Sequence, residues 1–379
     1  MKQELTDAEL ETYARQIVLE NIGYDGQLKL RNAKACIIGV GGLGSLVALK
    51  LVGMGIGYLR IVDRDIMGIG YLRIVDRDIV SRSDLHRQYL YDADSVGQPK
   101  VEVAMEKLSR LNPDVTIDPF PESLNSINVN EILQGVDVVV DGLDSPEPRY
   151  LINRACNKLK IPYVFGAAIE VLGNVSTIVP GKTVCLECFM PGIKDGDLPK
   201  CGVVGVHPSA LGIVTSLQVF ETVSLITGQE PKLLNKLLYI DLGDLKFHTL
   251  NITRSENCPI CGVNPTDSPE PIEDRFFEET CARDGRRNFI ISPQKRIEIN
   301  LEQLRMILNE RGLPIKTFGQ LGISFEQSDD IQTSILKSGI MIVQTSPKVE
   351  NNHKKDVLET YRSILVEGLG LSNSIMPDA

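Results

Sequence analysis

Two groups of residues in this chain have types and spacings that could do chemistry. The first is a glycine-rich stretch followed by cations and carboxylates. Gly39, Gly41 and Gly44 fit G-x-G-x-x-G, with Gly42 as an extra glycine. Such a loop supplies a tight turn, close backbone approach to a phosphate, and a helix start with N–H groups and a positive dipole end. Downstream, SRSDLHRQ carries Arg87 and Gln88, GQPK ends on Lys100, and VVVDGLDS places Asp144 just past an apolar run. Cations of this kind neutralise phosphate oxygens and a departing pyrophosphate, and a nearby carboxylate can hold Mg2+. A hydride-transfer site has no use for them, so nucleotidyl transfer is favoured and an NAD-dependent oxidoreductase is a remote alternative.

The second group is cysteine. Cys185-x-x-Cys188 and Cys258-x-x-Cys261 make a four-sulfur set of the kind tetrahedral zinc takes, with a redox dithiol as the alternative. All four positions would be sulfur, so such a metal is structural rather than catalytic. Cys201 lies in a Gly/Pro/Lys-rich loop before an expected helix at His207, where a helix N-terminus would favour thiolate. His207 itself is expected to make a helix-start contact, and His86 could touch nucleotide. Cys36 and Cys156 are expected in the core. Cys281 to Arg287 spells C-x5-R, but EDRFFEET before it is not the apolar strand a phosphate loop needs, so a surface turn is expected.

These residues need elements to hold them. Thr6 and Glu9 have capping-box spacing and predict a helix through about Glu20. Lys34–Ile38 reads as a strand running into the glycine loop, with a helix after it to about Gly53. YLRIVD, Val115–Pro119, Val136–Val140 and Pro162–Phe165 read as strands. Helices are expected at Pro99–Leu111, Glu147–Leu159 and His207–Gly228, and Lys236–Ile252 as an antiparallel pair. Alternation of strand and helix predicts a Rossmann-like, doubly wound, mostly parallel α/β sheet. A Pro-rich joint at 263–275 separates residues 1–262 from a small α+β domain, 276–379. There the pattern is strand Phe289–Ile291, helix Leu301–Arg311, strands near Ile315–Phe325, strand Ile335–Val343 and helix Asp356–Leu365.

One irregularity bears on the site. MGIGYLRIVDRDI occurs twice in tandem, at 54–66 and 67–79. Asp63, in the first copy, stands 19 residues beyond Gly44, close to the spacing of a ribose-binding carboxylate. Asp76, in the second copy, has instead the right spacing to Arg87. Only one copy can fill the strand, and the expectation is Asp76 in the site with Asp63 expelled.

The chain has 379 residues with a net charge of −10, which argues against nucleic acid as a partner. No apolar run follows the first charges, so no secretory signal is expected. Ala35–Leu59 is apolar, but its seven glycines suit a phosphate loop rather than a bilayer. A cytoplasmic protein with no membrane partner is expected.

Taken together, YARQ with Arg15, GVGGLG, IVDRDIVSRSDLHRQ, GQPK, DGLDS, GAA at 166–168, CLEC, CGVVG and CPIC resemble the ubiquitin-activating-like adenylyltransferases of molybdopterin and thiamine biosynthesis (MoeB/ThiF/HesA type). They occur in family order over about residues 5–262. The resemblance implies ATP- and Mg2+-dependent adenylation of the C-terminal glycine of a Gly-Gly-ended ubiquitin-like or sulfur-carrier protein. It implies that the Gly39–Gly44 loop, Arg87, Gln88 and Lys100 hold phosphates, and that Asp144 holds magnesium. It also implies that Arg15 reaches into the neighbouring ATP site of a homodimer and that Cys201 carries the activated protein in some members. The family usually has Asn where this chain has Asp84, and commonly Asn at Ser145. A non-catalytic nucleotide-binding scaffold is the alternative from another class. The small C-terminal domain loosely resembles the ubiquitin-fold domain of large activating enzymes.

Overall fold

Strand β1 (Lys34–Ile38) is apolar on both faces, and that property sets the architecture. Ala35 and Ile37 join a core with Val47, Leu51, Leu108 and Val219, while Cys36 and Ile38 join a second core with Ile132, Ile152 and Phe165 on the other face. A strand buried on both faces must lie mid-sheet between two helical layers. Each such side chain contributes about 1.5–3 kcal/mol when taken from water. The computed structural model describes residues 4–57, 71–194, 204–266, 269, 271–281, 287–349 and 354–377.

The first sheet adds β2 (Tyr71–Val75), β3 (Ile117–Phe120), β4 (Val138–Asp141), β5 (Tyr163–Ile169), β6 (Leu172–Ile178), β7 (Lys236–Asp241) and β8 (Lys246–Asn251). Its order is β3-β2-β1-β4-β5-β6-β7-β8, parallel from β3 to β5 and antiparallel beyond. The strand order reverses between β1 and β4, which opens a crevice at their C-terminal ends. The expected strand–helix alternation is present. Helix Pro208–Thr227 is long and apolar enough to cross a membrane, but it packs on β4, β5, β6 and helices Gly23–Asn32 and Gly44–Gly53.

Several expectations need correction. The capping box of Thr6 and Glu9 forms, but its helix ends at Thr12, and a separate turn covers Ala14–Ile17. The break falls at Tyr13, whose buried hydroxyl accepts from Asn112 Nδ2 at 2.7 Å, a contact between residues 99 positions apart. Helix Gly23–Asn32 and strand β6 were not anticipated, because glycine and serine interrupt their apolar pattern.

The second copy of the repeat, not the first, forms β2. A Cβ on Gly57 (φ +79°) would lie 2.8 Å from the Tyr71 Cα, so MGIG of the first copy abuts YLRIVDRDI of the second. Asp63 lies outside the described residues.

The second sheet comprises β9 (Phe277–Cys281), β10 (Arg287–Ile291), β11 (Ile315–Phe318), β12 (Gly322–Ser328), β13 (Ile331–Leu336) and β14 (Met341–Thr345). All pairings are antiparallel, in the order β11-β12-β13-β14-β10-β9. The single strand expected at Ile335–Val343 is two strands, because Gly339 (φ +79°) turns the chain. β9 ends at Cys281 and β10 begins at Arg287, and residues 282–286 between them lie outside the described residues. Helix Leu301–Glu310 and helix Lys354–Tyr361, with its π-helical continuation Arg362–Gly368, cover one face of the sheet around Phe289 and Phe325.

Candidate nucleotide site and metal centre

The crevice between β1 and β4 is built from glycines, and at Gly39, Gly44 and Gly142 a side chain would run into backbone. Gly39 has φ +85°, and a Cβ on Gly44 would sit 1.7 Å from the Gly39 oxygen. A Cβ on Gly142 would sit 2.2 Å from the same oxygen, so the DGLDS loop after β4 lies directly on the glycine loop. A Cβ on Gly42 would meet Leu211 at 2.9 Å. Gly41 differs: only the Gln88 amide, 3.9 Å away, would be near its Cβ, which leaves space above the loop. Helix Gly44–Gly53 begins here with no side-chain cap, so its first N–H groups find no side-chain acceptor. The buried Ser45 hydroxyl beside them also has no partner among the described residues.

Carboxylates and cations converge on this loop. Asp76 follows β2 and accepts from Val40 N through Oδ2 and from Asp78 N through Oδ1, at 2.7 and 2.8 Å. The surrounding protein strips water from Asp76 and Asp78 lies nearby; together they raise its pKa, against the opposing pull of Lys100. Lys100 begins helix Lys100–Leu111, and its buried ammonium lies 3.0 Å from Asp78 Oδ2 and 3.8 Å from Asp84 Oδ2. Burial works against its charge, yet Asp78, Asp76 and Asp84 more than offset this and raise its pKa. Desolvation works against the Asp78 charge as well, but Lys100 and Arg77 prevail and lower its pKa.

Asp84, the departure from the family pattern, is buried and tied on every side. Its carboxylate accepts from Ser81 N and Oγ at 3.0 Å and from Gln88 Nε2 at 2.8 Å, and it meets Arg87 Nη2 at 3.3 Å. Its charge is therefore matched by two cations rather than left to face phosphate alone. Tyr91 completes the wall, its hydroxyl donating to Val40 O at 2.8 Å.

Asp144 is exposed at the crevice mouth. Its loop is held by a buried set that the sequence did not point out. Asp141 Oδ2 pairs with Arg149 Nε at 2.9 Å and accepts from the Tyr163 hydroxyl at 2.6 Å, while Oδ1 accepts from Leu143 N. Arg149 also donates to the carbonyls of Leu143 and Gly166. The carboxylate in VVVDGLDS nearest the strand was the available signal. Arg15 is exposed on its turn, outside the crevice of its own chain. Cys201 lies outside the described residues. His207 caps its helix, Nδ1 accepting from Ser209 N, as expected.

The four CxxC sulfurs lie within 4.8 Å of one another, with Cys185–Cys258 at 3.6 Å and Cys188–Cys261 at 3.4 Å. Tetrahedral zinc with sulfur at about 2.3 Å requires sulfurs about 3.8 Å apart, so the set fits a zinc ion. Four sulfurs this close repel as thiolates. Cys261 is drawn down to about 5 by hydrogen bonding from Cys185, while Cys188 is pushed up to about 11, chiefly by burial. Cys36 is buried and pushed up to about 12, and Cys156 is raised by the same cause, which makes both core residues.

Known proteins share this arrangement. The model of the ThiF family matches residues 13–67 and then 66–260. The chain belongs to the ThiF family. The two matched pieces overlap at the tandem repeat, where the ThiF domain is interrupted. The chain is 35% identical over 283 residues to the SAMP-activating enzyme E1 of Haloferax volcanii, covering 74% of this chain and 98% of that one. It is 36% identical over 267 residues to a sulfur carrier protein adenylyltransferase of Thermus thermophilus, covering 69% and 94%. Among solved structures, E. coli MccB with ATP superposes with a TM-score of 0.54 at 25% identity, covering 63% of this chain and 68% of that one. Family membership leaves the NAD-dependent oxidoreductase without support.

Proposed function

We propose that this protein is an ATP-dependent adenylyltransferase that activates the C-terminal glycine of a small ubiquitin-like or sulfur-carrier protein. The observation that carries the reading is the seating of Asp76 and the DGLDS loop on one glycine loop at the sheet's switch point, with Lys100 paired to Asp78 two residues beyond Asp76. The printed names of relatives covered almost end to end support the same chemistry.

In this reading Asp76 accepts the ribose hydroxyls, and the Gly39–Gly44 backbone with the helix N-terminus receives phosphate oxygens. ATP phosphates draw Lys100 from Asp78, and Arg87 and Gln88 complete the anion cradle. The glycine carboxylate attacks the α-phosphorus, forming an acyl-phosphate bond as the bond to pyrophosphate breaks. Lys100 and Arg87 stabilise the charge that develops on the leaving pyrophosphate. Asp144, an exposed carboxylate at the mouth, would hold magnesium, and such an ion would neutralise phosphate charge. Arg15, exposed on its turn, serves the neighbouring site of a homodimer. Cys201 is the candidate carrier of the activated protein, and the zinc is structural. We place the protein in the cytoplasm.

The test is ATP–pyrophosphate exchange with a Gly-Gly-ended partner. Partner-dependent exchange supports the enzyme; ATP binding without exchange across ubiquitin-like and sulfur-carrier partners would favour the scaffold.

A further inference from the structure

The second sheet lies against the segments that carry the phosphate-binding residues. Asp78–Val80 and Gly97–Lys100 form a short ladder: Val80 N donates to Gln98 O, Gly97 N to Val80 O and Lys100 N to Asp78 O, each at 2.9 Å. Thr317 and Ser324, on β11 and β12, both donate their hydroxyls to Gly97 O, at 3.0 and 2.6 Å. Ile79 packs into a cluster with Ile290, Leu336, Ile340 and Ile342 of the second sheet.

Two carboxylates fix this union, one buried and one partly buried. Glu102, in the first turn of the helix that Lys100 begins, accepts from Gln320 N and Leu321 N at 2.5 and 2.9 Å. A Cβ on Gly319 would lie 2.4 Å from the Glu102 carboxylate, and one on Gly322 would lie 2.7 Å from the Pro99 ring. The GQLG loop therefore reaches Pro99 and Glu102 only because glycine stands at both its ends. Arg77, between Asp76 and Asp78, forms a bidentate pair with Glu278 of β9.

We propose that the C-terminal domain is a built-in clamp of the nucleotide site, with Glu102, Arg77 and Glu278 as positioning residues that set Asp76, Asp78 and Lys100 for ATP. The proposal rests on the adenylation reading only for its consequence in turnover, since the clamp acts on nucleotide binding itself. The ThiF match ends at residue 260, and relatives are covered to 98% and 94% by about 70% of this chain, so the clamp is an addition to the shared machinery. Misplacing such groups by about 1 Å costs on the order of 100-fold in rate.

The test uses the full chain with Glu278→Gln, Glu102→Gln and Gly319→Ala. Glu278→Gln is nearly isosteric at a partly exposed position, so it keeps the fold. Melting temperature is measured first, then the Kd of ATP, then KM and kcat for exchange. For Glu278→Gln the clamp predicts a fivefold or greater rise in ATP Kd at an unchanged melting temperature and partner KM; Glu102→Gln and Gly319→Ala, which disturb the GQLG contact itself, should raise Kd similarly with a lower melting temperature. Restoring the pair by Arg77→Glu with Glu278→Arg should recover affinity lost in either single reversal. Parental ATP affinity in folded Glu278→Gln and Glu102→Gln overturns the clamp, whether or not exchange is seen. Absent exchange in the parent chain counts against the adenylation reading alone.

Discussion

Asp76 and Asp63 occupy the same place in two identical stretches of sequence; Asp76 accepts from the Val40 amide, and Asp63 lies outside the described residues. Asp76→Ala should therefore weaken ATP binding by tenfold or more, whereas Asp63→Ala should leave it within twofold, by equilibrium titration. The Asp76 carboxyl is raised by desolvation and by Asp78, so it ionises above the ordinary carboxylate value of about 4. A ribose-binding carboxylate must be ionised to accept two hydroxyls well. ATP affinity should then fall as pH drops through that raised value, and Asp76→Asn should show a flatter profile. The charged and titratable groups that act on Asp76 are Asp78, Lys100, Arg77 and Tyr91, and Lys100 stays charged throughout. For stability, a carboxyl raised on folding contributes most when protonated, and that contribution is lost as pH rises through its folded value. Asp76→Asn should consequently keep or raise the melting temperature at pH 7 while it weakens ATP binding.

At the scale of elements, the join at Gly57 and Tyr71 bears on the repeat. A Cβ on Gly57 would lie within 3 Å of the Tyr71 backbone, so the two residues adjoin, and β2 pairs with β1 over its full length. Deleting 58–70 should leave the sheet intact. Closing a loop of 13 residues costs roughly (3/2)RT ln 13, about 2 kcal/mol. The deletion should thus raise the melting temperature by a few degrees with ATP affinity unchanged, as read by calorimetry and titration. Gly44→Ala tests the neighbouring element in the opposite sense. Its Cβ meets the Gly39 oxygen, a backbone atom that cannot swing aside, so about 1–3 kcal/mol of stability and most ATP binding should be lost.

Across the whole molecule, the two sites lie at opposite ends of one sheet. β6 and β8 run against β1, so the cysteine loops that follow them emerge at the edge remote from the crevice. Zinc analysis should give one ion per chain. Chelation, or Cys258→Ser, should lower the melting temperature by several degrees while ATP affinity stays within twofold. Loss of ATP binding in step with metal would place the cluster in the nucleotide site instead. The C-terminal domain, in contrast, docks beside the crevice. Arg275 pairs with Glu147 and Asp274 accepts from Ser126, so even the end of the joint is fastened to the ThiF domain.

The sequence by itself determined the glycine loop, the alternation of β1 to β5, the cysteine set and the family, because each depends on short-range spacing or on residue chemistry. It also placed Arg87, Lys100 and Asp84 in one segment. It did not determine which copy of the repeat enters the sheet, since identical letters have identical local preference. Parallel pairing with β1 and the Val40 amide made that choice. Nor could spacing reveal that Asp84 is shared between Arg87 and Lys100, that Asp141 and Arg149 lock the DGLDS loop, or that Gly319 touches Glu102. Those contacts join residues brought together by the packing of whole elements, and tertiary structure alone decided them.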